Sequence, residues 1–164
     1  MIVRVIEPSE FERLGELTVA AYRALPDGVV EEEYEAELRA VATRVAALDT
    51  EVLVAVDGTT VLGGVTYVAS SASPYFELDD DPDAASFRML AVDPTAAGSG
   101  AGRALVTEVV ARARRAGRRR IVIHSTPWMR RAHGLYERSG FVRRPDLDWT
   151  PVPAIPLWGF VLDL

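Results

Sequence analysis

The chain contains no cysteine and no lysine. Without thiols there is no disulfide, no thiolate zinc site and no cysteine nucleophile. Without lysine, a P-loop would lack the cation it sets beside the phosphates. All 18 basic residues are arginines, set against 24 acids, and the formal net charge of −6 argues against general nucleic-acid binding. No apolar run approaches the roughly 20 residues of a membrane span. The stretch from Met1 to Ile6 is broken by Arg4, too early for a signal peptide. These features suit a cytoplasmic protein without a membrane partner. No repeat, low-complexity tract or linker divides the 164 residues, so a single domain over 1–164 is expected.

The pattern of apolar residues reads as mixed α/β. Ile2 to Ile6 predicts a strand. Ser9 and Glu12 have capping-box spacing ahead of a helix with Phe11, Leu14, Thr18 and Tyr22 on one face, broken at Leu25-Pro26-Asp27-Gly28. A second helix carries Tyr34, Leu38, Val41, Val45 and Leu48 on one stripe. Two strands, about 51–56 and 60–69, join at Asp57-Gly58 as a hairpin. A polar loop over 70–85 leads to a strand ending at Val92, a helix from Arg103 to Ala116, a short strand at Ile121-Val122-Ile123, and a helix over about 129–139. Phe141-Val142 opens another strand. A proline-rich loop then leads to a last strand, Leu157 to Leu162, whose exposed edge would offer a homodimer contact. The order β-α-α-β-β-β-α-β-α-β-β implies a central, mostly antiparallel mixed sheet flanked by helices.

Between the fourth strand and the third helix stands Gly98-Ser99-Gly100-Ala101-Gly102. Glycine at every second position lets backbone N–H groups approach another molecule closely. The helix that starts there adds its unpaired N–H groups and positive dipole end, a combination suited to phosphate. Three readings remain open at this point. A P-loop is disfavoured by the missing lysine. A Rossmann fingerprint needs G-x-G-x-x-G after a first strand, and the spacing here is G-x-G-x-G after a fourth. A glycine turn with no ligand is the third.

The surrounding residues narrow the choice. Met89-Leu90-Ala91-Val92-Asp93-Pro94 followed by Gly98 to Leu105 resembles the acetyl-CoA loop of the GNAT N-acetyltransferases. Ala132-His133-Gly134-Leu135-Tyr136-Glu137-Arg138-Ser139-Gly140-Phe141 resembles that family's A-x-x-L-Y-E-x-x-G-F block. Both blocks occur in the family's order, on matching elements. The resemblance implies the GNAT fold, acetyl-CoA as co-substrate, no metal, and direct transfer to an amine of a small molecule or peptide. It also implies roles. The backbone of Leu90, Ala91 and Val92 would hold the pantetheine arm, and the Leu90 N–H would polarise the thioester carbonyl. Ala97, Gly98, Ser99, Gly100, Ala101, Gly102 and Arg103 would hold the pyrophosphate. Tyr136 would protonate the departing thiolate.

Three departures from the family pattern stand out. Ala97 replaces an arginine or glutamine, Met129 replaces an asparagine, and Ala85-Ser86-Phe87 offers no carboxylate where a general base is common. They leave an acyl-CoA-binding domain with little catalysis as the alternative. Candidate bases are His124, tuned for proton transfer near neutral pH, and the acids Glu77 and Asp79. His133 reads as a helix-surface residue. The acidic run Glu77 to Asp83 reads as a solvated loop or as an attractor of a cationic acceptor, and the arginines at 112–120 as complements of a helix C-terminal dipole or as attractors of the CoA 3′-phosphate or an acidic partner. Tyr22, Tyr34, Tyr67, Tyr75, Trp128 and Trp149 are candidates to line an acceptor pocket.

Overall fold

A computed structural model describes residues 1–26, 30–77 and 81–164. The elements run β1 (Ile2–Val5), α1 (Phe11–Arg23), α2 (Glu32–Arg39), α3 (Val41–Val45), β2 (Thr50–Asp57), β3 (Thr60–Val68), β4 (Ala84–Val92), α4 (Ala101–Arg115), β5 (Arg120–Ser125), α5 (Arg130–Arg138), β6 (Val142–Arg143), β7 (Trp149–Val152) and β8 (Ile155–Asp163). Eight strands form one sheet in the order β1-β2-β3-β4-β5-β8-β6, with β7 on β8. Among the described residues β4 and β5 alone pair in parallel, and the other pairings are antiparallel. The expected sheet class is therefore present.

The sheet separates two apolar layers. One face buries Ala85, Phe87, Ile121 and Ile123 against Leu105, Val106 and Val109 of α4 and Tyr136 of α5. The other buries Val52, Val54 and Ala91 against Leu14 and Leu17 of α1, and Met89 against Val19 and Leu38. Complete burial of one such aliphatic side chain stabilises the fold by about 1.5–3 kcal/mol.

Several local expectations are corrected. The capping box forms between Glu7 and Glu10, not between Ser9 and Glu12, because Pro8 opens a single 3₁₀ turn ahead of α1. Arg4 fixes Glu10 there with two hydrogen bonds of 2.8 and 2.7 Å. The second helix is two helices. Ala40 leaves helical geometry at ψ 56, and Arg44, fully buried, donates to the Glu37 and Leu38 carbonyls that the break frees. The proline-rich loop contains β7, which pairs with the start of β8 at Trp149–Leu157 and Val152–Ile155. The last strand is consequently not an edge. β5 lies along one side of it and β6 and β7 along the other, which removes the basis for pairing β8 with a second copy. The helix break at Asp27-Gly28 lies outside the described residues.

Candidate functional site

The site is built around an opening in the sheet. β4 and β5 pair only at Ala84–Arg120 and Ala85–Ile121. From Ser86 to Val92 one edge of β4 meets no strand among the described residues. On the other edge Asp93 donates its N–H to the Leu62 carbonyl at 2.8 Å. Alternate residues of a strand aim their N–H groups to opposite edges, so those of Val92 and Leu90 face the open side.

A bulge in β4 sets which side chains reach that opening. The register against β3 shifts between Gly64 and Thr66, and Met89 sits at φ 52. Positive φ is uncommon for a residue with a side chain and marks a locally constrained backbone. Before the bulge Ala85 and Phe87 face α4 and α5; after it Leu90 and Val92 do, while Met89 and Ala91 face α1. Close approach of β3 keeps this geometry. A Cβ on Gly63 would stand 2.5 Å from the Ala91 carbonyl oxygen, and one on Gly64 2.6 Å from Leu14 Cδ1.

β4 runs directly into the glycine loop. Asp93 accepts from the Thr95 N–H and hydroxyl and pairs with Arg13 of α1, which holds the exit turn. Gly98 and Gly100 have φ 87 and 89, conformations that favour glycine. The loop satisfies some of its own amides: Ala97 donates to Pro94 O, Ser99 to Ala96 O, and Ala101 to the Ser99 hydroxyl. Those of Gly98, Gly100, Gly102 and Arg103 have no protein acceptor among the described residues. Four free donors thus stand at the start of the fifteen-residue α4, with no side chain capping it. Gly102 also lets α4 begin against the sheet, since a Cβ there would meet Leu135 at 3.3 Å and Val92 at 3.5 Å.

Tyr136 lies on the α5 face of the opening. Its ring packs edge-on or tilted against Phe87, Phe141 and Phe160, with centroids 5.7, 5.9 and 5.8 Å away. Burial raises its pKa, so the phenol keeps its proton. Among the described residues its hydroxyl has no hydrogen-bond partner.

His124 and Arg88 face each other across the opening, four residues along their strands from the Ala84–Arg120 pair. Glu77 bridges them. Its carboxylate is 2.9 Å from the Arg88 guanidinium and 3.8 Å from His124 Nδ1. Burial draws the His124 pKa down, against the Leu147 carbonyl and Glu77, which draw it up. The resulting neutral ring donates from Nε2 to Leu147 O at 3.0 Å, which leaves the Nδ1 lone pair toward Glu77. Tyr22 and Tyr34 close this side, ring centroids 5.9 Å apart. Burial first, then the phenols of Tyr34 and Tyr136, push the Tyr22 pKa well up.

Other sequence candidates lie elsewhere. His133 is buried rather than on the helix surface. It stacks on Trp158 and Phe160 and sits 3.1 Å from the Ser125 hydroxyl. The ends of the two charge runs meet each other. Arg120 pairs with Asp81, Arg119 with Asp83, and Arg118 donates to Pro82 O. Arg112 pairs with Glu51 and Glu108, and Arg115 with Glu108. Tyr67 belongs to the core. Asp79 lies outside the described residues. Among the described residues no cluster of His, Asp or Glu could hold a metal ion, and no helix is long and apolar enough to cross a membrane. Arg88 joins this opening although no motif singles it out; its signal in the sequence is a charge inside the apolar run Phe87 to Val92.

The family model described as the acetyltransferase (GNAT) family matches residues 12–141. No curated protein matches the chain. Among solved structures, a GNAT-family acetyltransferase from Staphylococcus aureus Mu50 superposes with a TM-score of 0.75 at 14% identity, over 99% of this chain and 98% of the other. PaiA N-acetyltransferase from Thermoplasma acidophilum, in complex with coenzyme A, gives 0.72 at 14% identity over 99% and 98%. YncA from Salmonella typhimurium, with its cofactor acetyl-CoA, gives 0.67 at 20% identity over 100% and 94%. At these identities the likeness is one of fold.

Proposed function

The chain belongs to the GNAT acetyltransferase family, and on that footing we propose that it moves the acetyl group of acetyl-CoA directly to a primary amine of a small molecule or peptide. One observation carries this reading. The unpaired edge of β4 leads without interruption into a loop that presents four free amides at a helix N-terminus. An extended acyl-thioester arm ending in a pyrophosphate requires both parts in that order. Acetyl-CoA is the co-substrate, and it supplies the activated acyl group.

The residues fit it as follows. Gly98, Gly100, Gly102 and Arg103 N–H groups would receive the pyrophosphate oxygens, aided by the α4 dipole. This is narrower than the whole segment from Ala97, since the Ala97, Ser99 and Ala101 amides are engaged within the loop. With Ala97 at the loop entry, no arginine or glutamine side chain contributes there. The backbone of Leu90, Ala91 and Val92 would line the arm, and the Leu90 N–H would donate to the thioester oxygen. A fixed N–H on an unpaired strand edge costs no reorganisation when charge develops on that oxygen.

Protons must leave the amine and reach the sulfur. An alkylammonium has a pKa near 10 and must lose a proton before its nitrogen can attack. Glu77 and His124 Nδ1 both present acceptors at the opening, and either would take that proton. The C–N bond then forms, the nitrogen loses its second proton, and the C–S bond breaks. Tyr136 would give its proton to the departing sulfur. The balance is one ammonium and one acetyl thioester in; one amide, one thiol and one proton out.

Free-thiol release from acetyl-CoA tests the reading across amines, amino acids, aminoglycosides and peptide N-termini. Because the chain has no cysteine, a disulfide-exchange reagent reads only the product thiol. Acceptor-dependent release is expected. CoA binding by calorimetry without release for any acceptor would overturn transfer in favour of a binding domain.

A further inference from the structure

On one side of the opening, an arginine and a glutamate are paired with both side chains largely withdrawn from solvent. The Arg88 side chain is 20% exposed and that of Glu77 18%, 2.9 Å apart. Removing two charges from water costs much of what their attraction returns, so such a pair is a weak stabiliser. It is better explained by what each end can bind. We propose that the acceptor is an α-amino acid, or a small aminocarboxylate of like geometry, whose carboxylate takes Arg88 and whose ammonium takes Glu77. This rests on the acetyltransferase reading above and names its acceptor.

The groups around the pair are sorted by role. Next to Arg88 stand the phenols of Tyr34 and Tyr22, which burial keeps protonated. The Tyr22 phenol donates to that of Tyr34, which leaves the guanidinium and the Tyr34 O–H as the donors for a carboxylate. Next to Glu77 is His124 Nδ1, whose ring is fixed as an acceptor there by the Nε2 bond to Leu147. Two acceptors 3.8 Å apart can share one ammonium, which carries three donors. Donors thus gather at one end and acceptors at the other. The two charges touch, so the charges that replace them must be adjacent as well. An α-amino acid satisfies this, and a long-chain amine does not.

Position along the strand agrees. Arg88 precedes Leu90 by two residues across the Met89 bulge, so the ion pair and the Leu90 N–H belong to the same unpaired stretch of β4. Glu37 on α2 adds negative charge to the field around Arg88. An acidic side chain on the acceptor is therefore disfavoured.

The test compares three acceptors with one uncharged side chain: the amino acid, its methyl ester and the amine left by decarboxylation. Thiol release gives kcat and KM for each. The free acid is expected to exceed both others in kcat/KM by about 30-fold or more, the scale of a lost charge-assisted contact in a desolvated site. Arg88→Gln should lower kcat/KM for the acid by a similar factor through KM, with CoA affinity by calorimetry within about twofold of the parent. Arg88→Lys should recover part of the loss. If the ester or the amine is used as well as the acid, the proposal fails while acetyl transfer stands. If CoA binds and no acceptor releases thiol, the transferase reading itself has failed. Should Arg88→Gln not fold, the three-acceptor comparison on the parent protein decides alone.

Discussion

Tyr136→Phe separates a catalytic hydroxyl from a structural one, because the structure gives opposite signs for activity and stability. The ring is the structural part. It meets Phe87, Phe141 and Phe160 at 5.7, 5.9 and 5.8 Å. Each such pair contributes about 0.5–1.5 kcal/mol beyond area burial, and phenylalanine preserves all three. Among the described residues the hydroxyl has no hydrogen-bond partner, so its removal leaves none of their donors or acceptors unpaired. Loss of a polar atom from a largely buried position should change stability by between zero and about 1 kcal/mol in favour of the variant. For a chain of this size that is a rise in Tm of up to about 4 °C. The chemistry should behave in the opposite way. Losing a positioned general acid costs about 10²-fold or more in turnover, roughly 2.7 kcal/mol of barrier. Since burial raises the phenol pKa, the proton is present throughout pH 6–9 and the loss should be nearly independent of pH across that range. Thermal unfolding and thiol release on the same preparation provide both numbers. Turnover within about threefold of the parent, with chemistry rate-limiting, would refute the role. A Tm lower by more than about 4 °C would show that the hydroxyl is a structural bond.

Three further outcomes follow from particular residues. Gly98→Ala and Gly100→Ala each place a side chain at φ near 90 with open space or a single distant neighbour around the new Cβ. Each should cost only about 1 kcal/mol of stability yet weaken CoA binding about tenfold or more by calorimetry. Gly63→Ala should instead destabilise by several kcal/mol in denaturant unfolding, because its Cβ would stand 2.5 Å from the Ala91 carbonyl oxygen. Burial lowers the pKa of both histidines, His124 and His133, so the unfolded chain takes up protons that the folded one refuses. Their contribution to stability is complete above about pH 6.5 and is lost as pH falls below it toward the folded values. Tm should therefore decline between pH 7 and 5, before the depressed carboxylates of Glu10, Asp93 and Asp148 begin to titrate. His124→Gln/His133→Gln should flatten that slope, and a flat profile in the parent would contradict the burial argument.

What was legible in the sequence was local. The glycine spacing at 98–102, the helix behind it and the turn at Asp57-Gly58 are encoded within a few residues, and the structure has each of them. What was hidden depends on distant chain. The β4 bulge at Met89 is set by its pairing with Gly63 and Gly64 on β3, and it turns Arg88 and Met89 to one face where alternation would divide them. His133 has the spacing of a surface residue on α5, but Trp158 and Phe160 arrive from β8 to cover it. Arg119 and Arg120 at the end of the basic run pair with Asp83 and Asp81 at the end of the acidic run, a contact between segments about 40 residues apart that neither run reveals alone. Glu77, Arg88 and His124 come from a loop and two strands and meet only because β4 and β5 diverge.

The central claim is that the free amides of the glycine loop hold the CoA pyrophosphate, and glycine-selective ¹⁵N labelling tests it on the 12 glycines at once. On titration with CoA, the Gly98, Gly100 and Gly102 amide signals should move together with one affinity, while those of Gly58 and Gly117, in turns outside the site, stay in place. Saturation of CoA binding with the three loop amides unmoved would contradict the account.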